Sequence, residues 1–209
     1  MRGVISLIER RKTGTFSILA ISLDSKLMGV AVASGSTSVG DRVPHAKPGV
    51  GVIATQAYTN VAYGINGLEL LTKGLTPEEA LDRLLMEDPE RELRQVAIMG
   101  FKKRKIVFTG AKTPGFHGEL IGENYIVIGN LLTEKEVVNS MAKEFENSSG
   151  DLAQRLAMAL KAGNESGGDK RGEKSAALIV VGTEKVKAEI KIDVHEKPIE
   201  ELCRKLRIL

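Results

Sequence analysis

Thr15-Phe16-Ser17-Ile18-Leu19-Ala20-Ile21-Ser22-Leu23 and Met28-Gly29-Val30-Ala31-Val32-Ala33-Ser34 flank the polar triplet Asp24-Ser25-Lys26. Two β-compatible runs around a short polar break read as a hairpin. Neither arm alternates between apolar and polar side chains, as a sheet wet on one face would require. Their near-continuous Ile, Val, Leu and Ala point instead to strands covered on both faces. A third strand, Val50 to Gln56, follows a loop containing Pro44, Lys47 and Pro48.

Two helical segments come next. Ile65, Leu68 and Leu71 fall on roughly one face of the first, despite Gly64 and Gly67. The second carries its own start signal: Thr76 as cap, Pro77 in the first turn, Glu79 completing a capping box, and Leu81, Leu84 and Leu85 on the apolar side. A second hairpin joins Gln95–Met99 to Ile106–Thr109 through the basic turn Lys102 to Lys105. A strand from Tyr125 to Ile128 leads through Gly129 and Asn130 into another helix pair. Its first member reads as capped by Thr133 with Glu136 three residues on, and its second runs from Asp151 to Ala162. A Gly-rich charged loop, Gly163 to Lys174, precedes strands Ala176–Val181 and Val186–Val194, and a helix from Ile199 closes the chain.

Strands that arrive in runs disfavour a doubly wound parallel sheet, while strands buried on both faces need helices outside and a second sheet inside. The expected fold class is therefore α/β (α+β), a four-layer αββα sandwich. Its 209 residues suit one domain, expected over 15–209 behind a leader or propeptide at 1–14.

A net charge of +3 against 30 basic and 27 acidic side chains gives no field that selects nucleic acid or an anionic membrane. The turn Lys102-Lys103-Arg104-Lys105 reads as a solvated hairpin tip. No apolar run approaches membrane-spanning length. Cys203 stands alone, which excludes an intramolecular disulfide and points to a reducing, cytoplasmic setting. Many Lys and Glu with few Gln suit a heat-adapted protein. His45, His117 and His195 lack metal-ligand spacing, and no phosphate-binding Gly-rich fingerprint appears, so neither a metal nor another cofactor is expected.

The chemistry concentrates at Thr13-Gly14-Thr15, where a strand begins. A threonine hydroxyl is a weak nucleophile, but a free α-amine on the same residue has a pKa near neutrality and serves as its base. Gly14 suits a strained junction before such a residue. Thr55-Gln56-Ala57 ends a strand, where backbone N–H groups could hold an oxyanion. Asn130 occupies a similar strand end, and Asp169, Arg171 and Ser175 lie in the loop before a core strand.

Thr13-Gly14-Thr15 resembles the junction at which proteasome β subunits are cut to expose an N-terminal threonine. That resemblance implies Thr15 as nucleophile and Lys47, at the matching offset, as the cation that tunes it. The acidic partner of those subunits has no counterpart in Val30-Ala31-Val32-Ala33-Ser34. A wider resemblance runs through Thr15-Phe16-Ser17-Ile18, Gly29 to Ser34, Ala54-Thr55-Gln56-Ala57-Tyr58, Gly129-Asn130, and Gly168-Asp169-Lys170-Arg171-Gly172 with Ser175-Ala176-Ala177. These segments look like a bacterial and archaeal domain-of-unknown-function family with the N-terminal-nucleophile (Ntn) hydrolase fold, some of whose members are labelled fimbrial assembly proteins. The resemblance implies Thr15, Lys47, Gln56, Asn130 and Asp169 as catalytic candidates. Ser34, Tyr58, His117, Arg171 and Ser175 are its substrate-binding candidates.

The function expected is hydrolysis of a small amide or peptide by a homo-oligomer whose leader is removed by slow, heat-accelerated self-cleavage. The alternative is a non-catalytic assembly scaffold that keeps the Ntn fold.

Overall fold

The computed structural model describes residues 14–207. The remainder of the expected leader, residues 1–13, lies outside the described residues. Five strands and two helices open the fold: β1 (Thr15–Ile21), β2 (Met28–Ser34), β3 (Pro44–Lys47), β4 (Gly51–Ala57), α1 (Ala62–Thr72), α2 (Pro77–Glu87) and β5 (Arg94–Gly100). They are followed by β6 (Lys105–Thr109), β7 (Phe116–Ile121), β8 (Tyr125–Leu132), α3 (Glu136–Asn147), α4 (Leu152–Glu165), β9 (Ser175–Val181), β10 (Val186–Ile192) and α5 (Pro198–Lys205).

The strands form two antiparallel sheets, one of six in the order β10-β9-β2-β1-β8-β7 and one of four in the order β3-β4-β5-β6. Helices α3, α4 and α5 cover the larger sheet, and α1 and α2 cover the smaller. Three apolar layers result. Phe16, Ile18, Phe145, Leu156 and Leu160 pack between the larger sheet and its helices. Leu19, Val30, Val32, Val52, Met99 and Ile128 fill the space between the sheets. Ile53, Tyr63, Leu84 and Ile98 lie between the smaller sheet and its helices. This is a four-layer αββα sandwich, and it explains the unbroken hydrophobicity of β1 and β2: both faces of each strand are buried.

Two edge strands differ from the sequence reading. The segment 44–47, read as loop, forms β3 against β4, and Phe116 to Ile121 forms β7 against β8. Edge strands need no continuous apolar run, and β7 is largely exposed. In helix α1, Leu68 and Leu71 pack against the core as expected, but Ile65 does not. Tyr63, Gly64 and Gly67 are buried while Ile65 is 53% exposed, because the glycines admit close approach: a Cβ at Gly67 would stand 2.6 Å from Ile53 Cδ1.

The capping box at Thr76 and Glu79 is present. Thr133, in contrast, does not cap α3. Its N–H is spent on Gly168 O at 3.2 Å and the helix starts at Glu136 behind Lys135. At α4, Asp151 accepts from Gln154 N at 2.9 Å and donates its own N–H to the Gln154 side chain at 3.2 Å. Asp151→Ala is therefore expected to cost about 1 kcal/mol, read as a fall of roughly 3 °C in Tm.

Candidate active site

Side chains on a strand alternate between faces, so Thr15 and Ser17 share the face of Leu19 and Ile21, which fill the layer between the sheets. The same parity puts Ser34 with Val30 and Val32, Asn130 with Ile126 and Ile128, and Gln56 with Val52 and Ala54. One end of this otherwise apolar layer is consequently polar. Across the larger sheet the register is Ser175↔Ser34↔Thr15↔Asn130, a single rung of four polar side chains. All four are buried, Thr15 at 2% exposure.

A buried amide network ties this rung to the facing sheet. Gln56 Nε2 donates to Thr15 O at 3.2 Å and to Gln95 Oε1 at 2.8 Å, while Gln56 Oε1 accepts from Ser17 Oγ at 2.6 Å. Asn130 Nδ2 donates to Gln95 Oε1 at 3.2 Å. Buried amides placed this way satisfy one another and fix the position of the Thr15 backbone. Strain borders the network on both sides, since Ala57 (φ 67°) and Leu131 (φ 49°) follow Gln56 and Asn130 in the left-handed region.

The carbonyl oxygen of Gly14 accepts from three side chains. Thr15 Oγ1 and Ser34 Oγ each donate to it at 2.5 Å, and Arg171 Nη2 donates at 3.0 Å. Thr15 Oγ1 is also within donating distance of Ser34 Oγ, at 3.1 Å, and Ser34 Oγ accepts from Ser36 N at 3.1 Å. Arg171 is held in turn by Asp169, whose side chain is wholly buried: Nε donates to Oδ1 at 3.0 Å and Nη2 to Oδ2 at 2.7 Å. Asp169 also accepts from Gly35 N at 2.7 Å and Arg171 N at 3.0 Å. Glu173 braces this loop by accepting from Asp169 N at 2.8 Å, and burial pushes its carboxyl above the ordinary glutamate value, with the Asp169 charge adding to the shift. Ser175 Oγ donates to Ser36 O at 2.6 Å and accepts from Val39 N at 3.1 Å.

Thr15, Ser34, Gln56, Asn130, Asp169, Arg171 and Ser175 are thus brought together from five separate stretches of chain. Lys47 is not brought to them. It pairs with Gly51 at the far end of β4 from Gln56, roughly 16 Å along the strand, and its Nζ donates to Thr72 Oγ1 at 3.0 Å beside a surface cavity of about 490 Å³. His117 is exposed on β7, with Nδ1 3.1 Å from Gly115 O. Tyr58 contributes its carbonyl, which accepts from Arg94 Nη1 at 2.7 Å. Of the backbone N–H groups around Gln56, that of Thr55 donates to Val43 O and that of Tyr58 to Leu93 O. The donors that converge on the Gly14 carbonyl are those of Thr15, Ser34 and Arg171. Gln95, which links Gln56 to Asn130, escaped the sequence reading because nothing local distinguishes it from any other polar residue at a strand start.

Among the described residues, no three His, Cys, Asp or Glu side chains are grouped to hold a metal ion, and no helix is long and apolar enough to cross a membrane.

Residues 15–202 match the model of a family described as a family of unknown function, DUF1028. Among solved structures, the chain is similar to protein SPO2555 of Silicibacter pomeroyi, assigned to the same family, at 30% identity and a TM-score of 0.86, over 93% of this chain and 88% of that one. Anbu (ancestral beta-subunit) from Yersinia bercovieri gives 11% identity and a TM-score of 0.45, over 93% of both chains. No curated protein matches, and the descriptions of these two structures do not mention fimbrial assembly. With the family model covering nearly the whole described chain, the protein belongs to the DUF1028 family.

Proposed function

We propose that the protein is an Ntn-type amidohydrolase that first cuts its own Gly14–Thr15 bond and then uses Thr15 on an external amide or peptide. The observation that carries this reading is the set of donors on Gly14 O. A carbonyl held by a serine hydroxyl and a guanidinium, with a threonine hydroxyl against it, is arranged as an oxyanion site beside a nucleophile. The family match, which starts at Thr15, fits the same boundary.

In the first step Thr15 Oγ1 bonds to the Gly14 carbonyl carbon while Ser34 and Arg171 neutralise the charge on its oxygen. The C–N bond breaks, and the proton lost by Thr15 passes by way of Ser34 to the departing Thr15 nitrogen. Water then splits the ester, leaving a carboxylate on Gly14 and restoring the hydroxyl. The freed amine becomes the base for later turnovers, and an external acyl oxygen takes the place of Gly14 O. Arg171 fills the cationic role that the resemblance had assigned to Lys47. The substrate is a small amide or peptide, and a cytoplasmic homo-oligomer adapted to heat belongs to the same reading.

Arg171→Met is expected to slow self-cleavage by about 10²-fold, whereas Lys47→Met leaves its rate and pH profile within about twofold of wild type. Timed intact-mass spectra of the two variants provide the check. A loss of rate in Lys47→Met alone would reverse the assignment. A chain that stays whole and turns over no amide would favour the scaffold reading, in which the same buried rung serves packing only.

A further inference from the structure

We propose that Asp169 sets the acyl specificity of this site: the group transferred to Thr15 carries no L side chain on the carbon next to its carbonyl. Its substrates are then glycyl amides and other acyl amides with an unbranched α-carbon. This rests on Thr15 being the nucleophile, and on the substrate's acyl group taking the place that Gly14 occupies here.

A Cβ built on Gly14 would stand 2.5 and 2.6 Å from the two Asp169 carboxylate oxygens and 2.7 Å from its Cγ. Non-bonded carbons settle no closer than about 3.5 Å, so either the acyl residue or the carboxylate would have to move. Neither is free to do so. Asp169 is wholly buried and receives four donors: Gly35 N, Arg171 N, Arg171 Nε and Arg171 Nη2. Behind it the packing is closed, for a Cβ at Gly35 would itself meet Gly172 O at 2.7 Å and Asp169 Oδ2 at 2.9 Å. The acyl residue is fixed at its carbonyl by Ser34 and Arg171, so turning the α-carbon away would pull the oxygen off its donors.

Arg171 couples the two ends of the device, since one guanidinium holds both the carbonyl and the carboxylate that closes the α-carbon position. The contact is chemical as well as steric. An apolar side chain pressed against this buried carboxylate would offer it no hydrogen bond. In the reaction Thr15 Oγ1 bonds to the acyl carbon, the amine leaves with the hydroxyl proton, and water releases the unbranched acid.

The test has a steric and a kinetic arm. In full-length protein carrying Thr15→Ala, which keeps the chain whole, adding Gly14→Ala should lower Tm by about 3 °C or more. An unchanged Tm would overturn the steric gate. In self-cleaved wild type, acetyl-glycyl-aminomethylcoumarin should exceed its L-alanyl counterpart in kcat/KM by about 100-fold. Asp169→Ala should slow both substrates, because Arg171 loses its anchor, yet shrink their ratio below about tenfold. Equal rates for the two substrates in wild type, or a ratio that survives Asp169→Ala, would overturn the proposal. Glycyl hydrolysis that persists in Thr15→Ala would overturn the nucleophile instead, leaving the Tm comparison to judge the gate.

Discussion

Replacing Thr15 by alanine is expected to abolish both the proposed cleavage at Gly14–Thr15 and the proposed amide hydrolysis, a loss of at least about 10³-fold. The hydroxyl at this position contacts the Gly14 carbonyl oxygen and the Ser34 hydroxyl, so its removal takes away the attacking atom without opening the core. The folded state should barely register the change. The lost hydrogen bonds are worth about 1 kcal/mol, and Gln56 still holds the Thr15 position through the backbone carbonyl. Thr15→Ser keeps an attacking hydroxyl and should keep measurable cleavage. Rates from mass spectrometry, set beside melting curves, separate a lost nucleophile from a lost fold. An alanine variant that cleaves as fast as wild type would remove Thr15 from the chemistry.

Asp88→Ala is expected to destabilise the protein by about 3 kcal/mol, a fall in Tm on the order of 10 °C. Asp88 and Arg94 have side chains only 8% and 9% exposed, and they meet at 2.8 Å. Removing the carboxylate leaves a buried guanidinium with Glu90 as its remaining carboxylate partner, at 3.3 Å. Burial by itself would raise the Asp88 carboxyl. The hydrogen bonds from Arg94 and from Glu90 N–H, with the guanidinium charge, outweigh it and hold Asp88 below its ordinary value of 3.8. A group with its pKa depressed by folding stabilises fully above the unfolded value and loses that contribution as pH falls through the folded one. Wild type should therefore lose Tm on acidification below about pH 4 more steeply than Asp88→Ala, once other carboxylates common to both are subtracted. The effect reaches the site, because Arg94 pairs across the sheet with the strained Ala57 and donates to Tyr58 O, anchoring the end of the strand that carries Gln56. Slower self-cleavage should accompany the lower Tm. Parallel acid slopes in the two proteins would contradict the depressed Asp88.

The sandwich was legible in β1 and β2 because strands buried on both faces cannot hide their hydrophobicity. The cap at Thr76 was legible because a capping box is written within four residues. Strands β3 and β7 were not, since an edge strand carries one paired side and tolerates Pro44 or an exposed Phe116. The inward face of α1 was legible only in part. Besides Leu68 and Leu71 it buries Tyr63 and two glycines, Gly64 against His45 and Gly67 against Ile53, and a periodicity of large apolar residues does not register glycines.

The polar rung shows the same division. Thr15, Ser34, Asn130 and Ser175 each stand out singly at a strand end, but their alignment is a matter of register between strands distant in sequence. Lys47 illustrates the opposite error. An offset counted along the chain placed it by the nucleophile, while β3 carries it to the far end of β4. Asp169 and Arg171 arrive through a long loop whose path depends on Thr133 and Leu131 backbone groups, contacts that no local pattern announces.

The central claim, that the Gly14–Thr15 bond is the first substrate of this site, is tested most directly by the intact mass of purified full-length protein after incubation at rising temperature. A mass corresponding to a chain that begins at Thr15, accumulating faster with heat in wild type and absent in Thr15→Ala, is the predicted result. A wild-type chain that stays whole at every temperature while still hydrolysing an amide would contradict it.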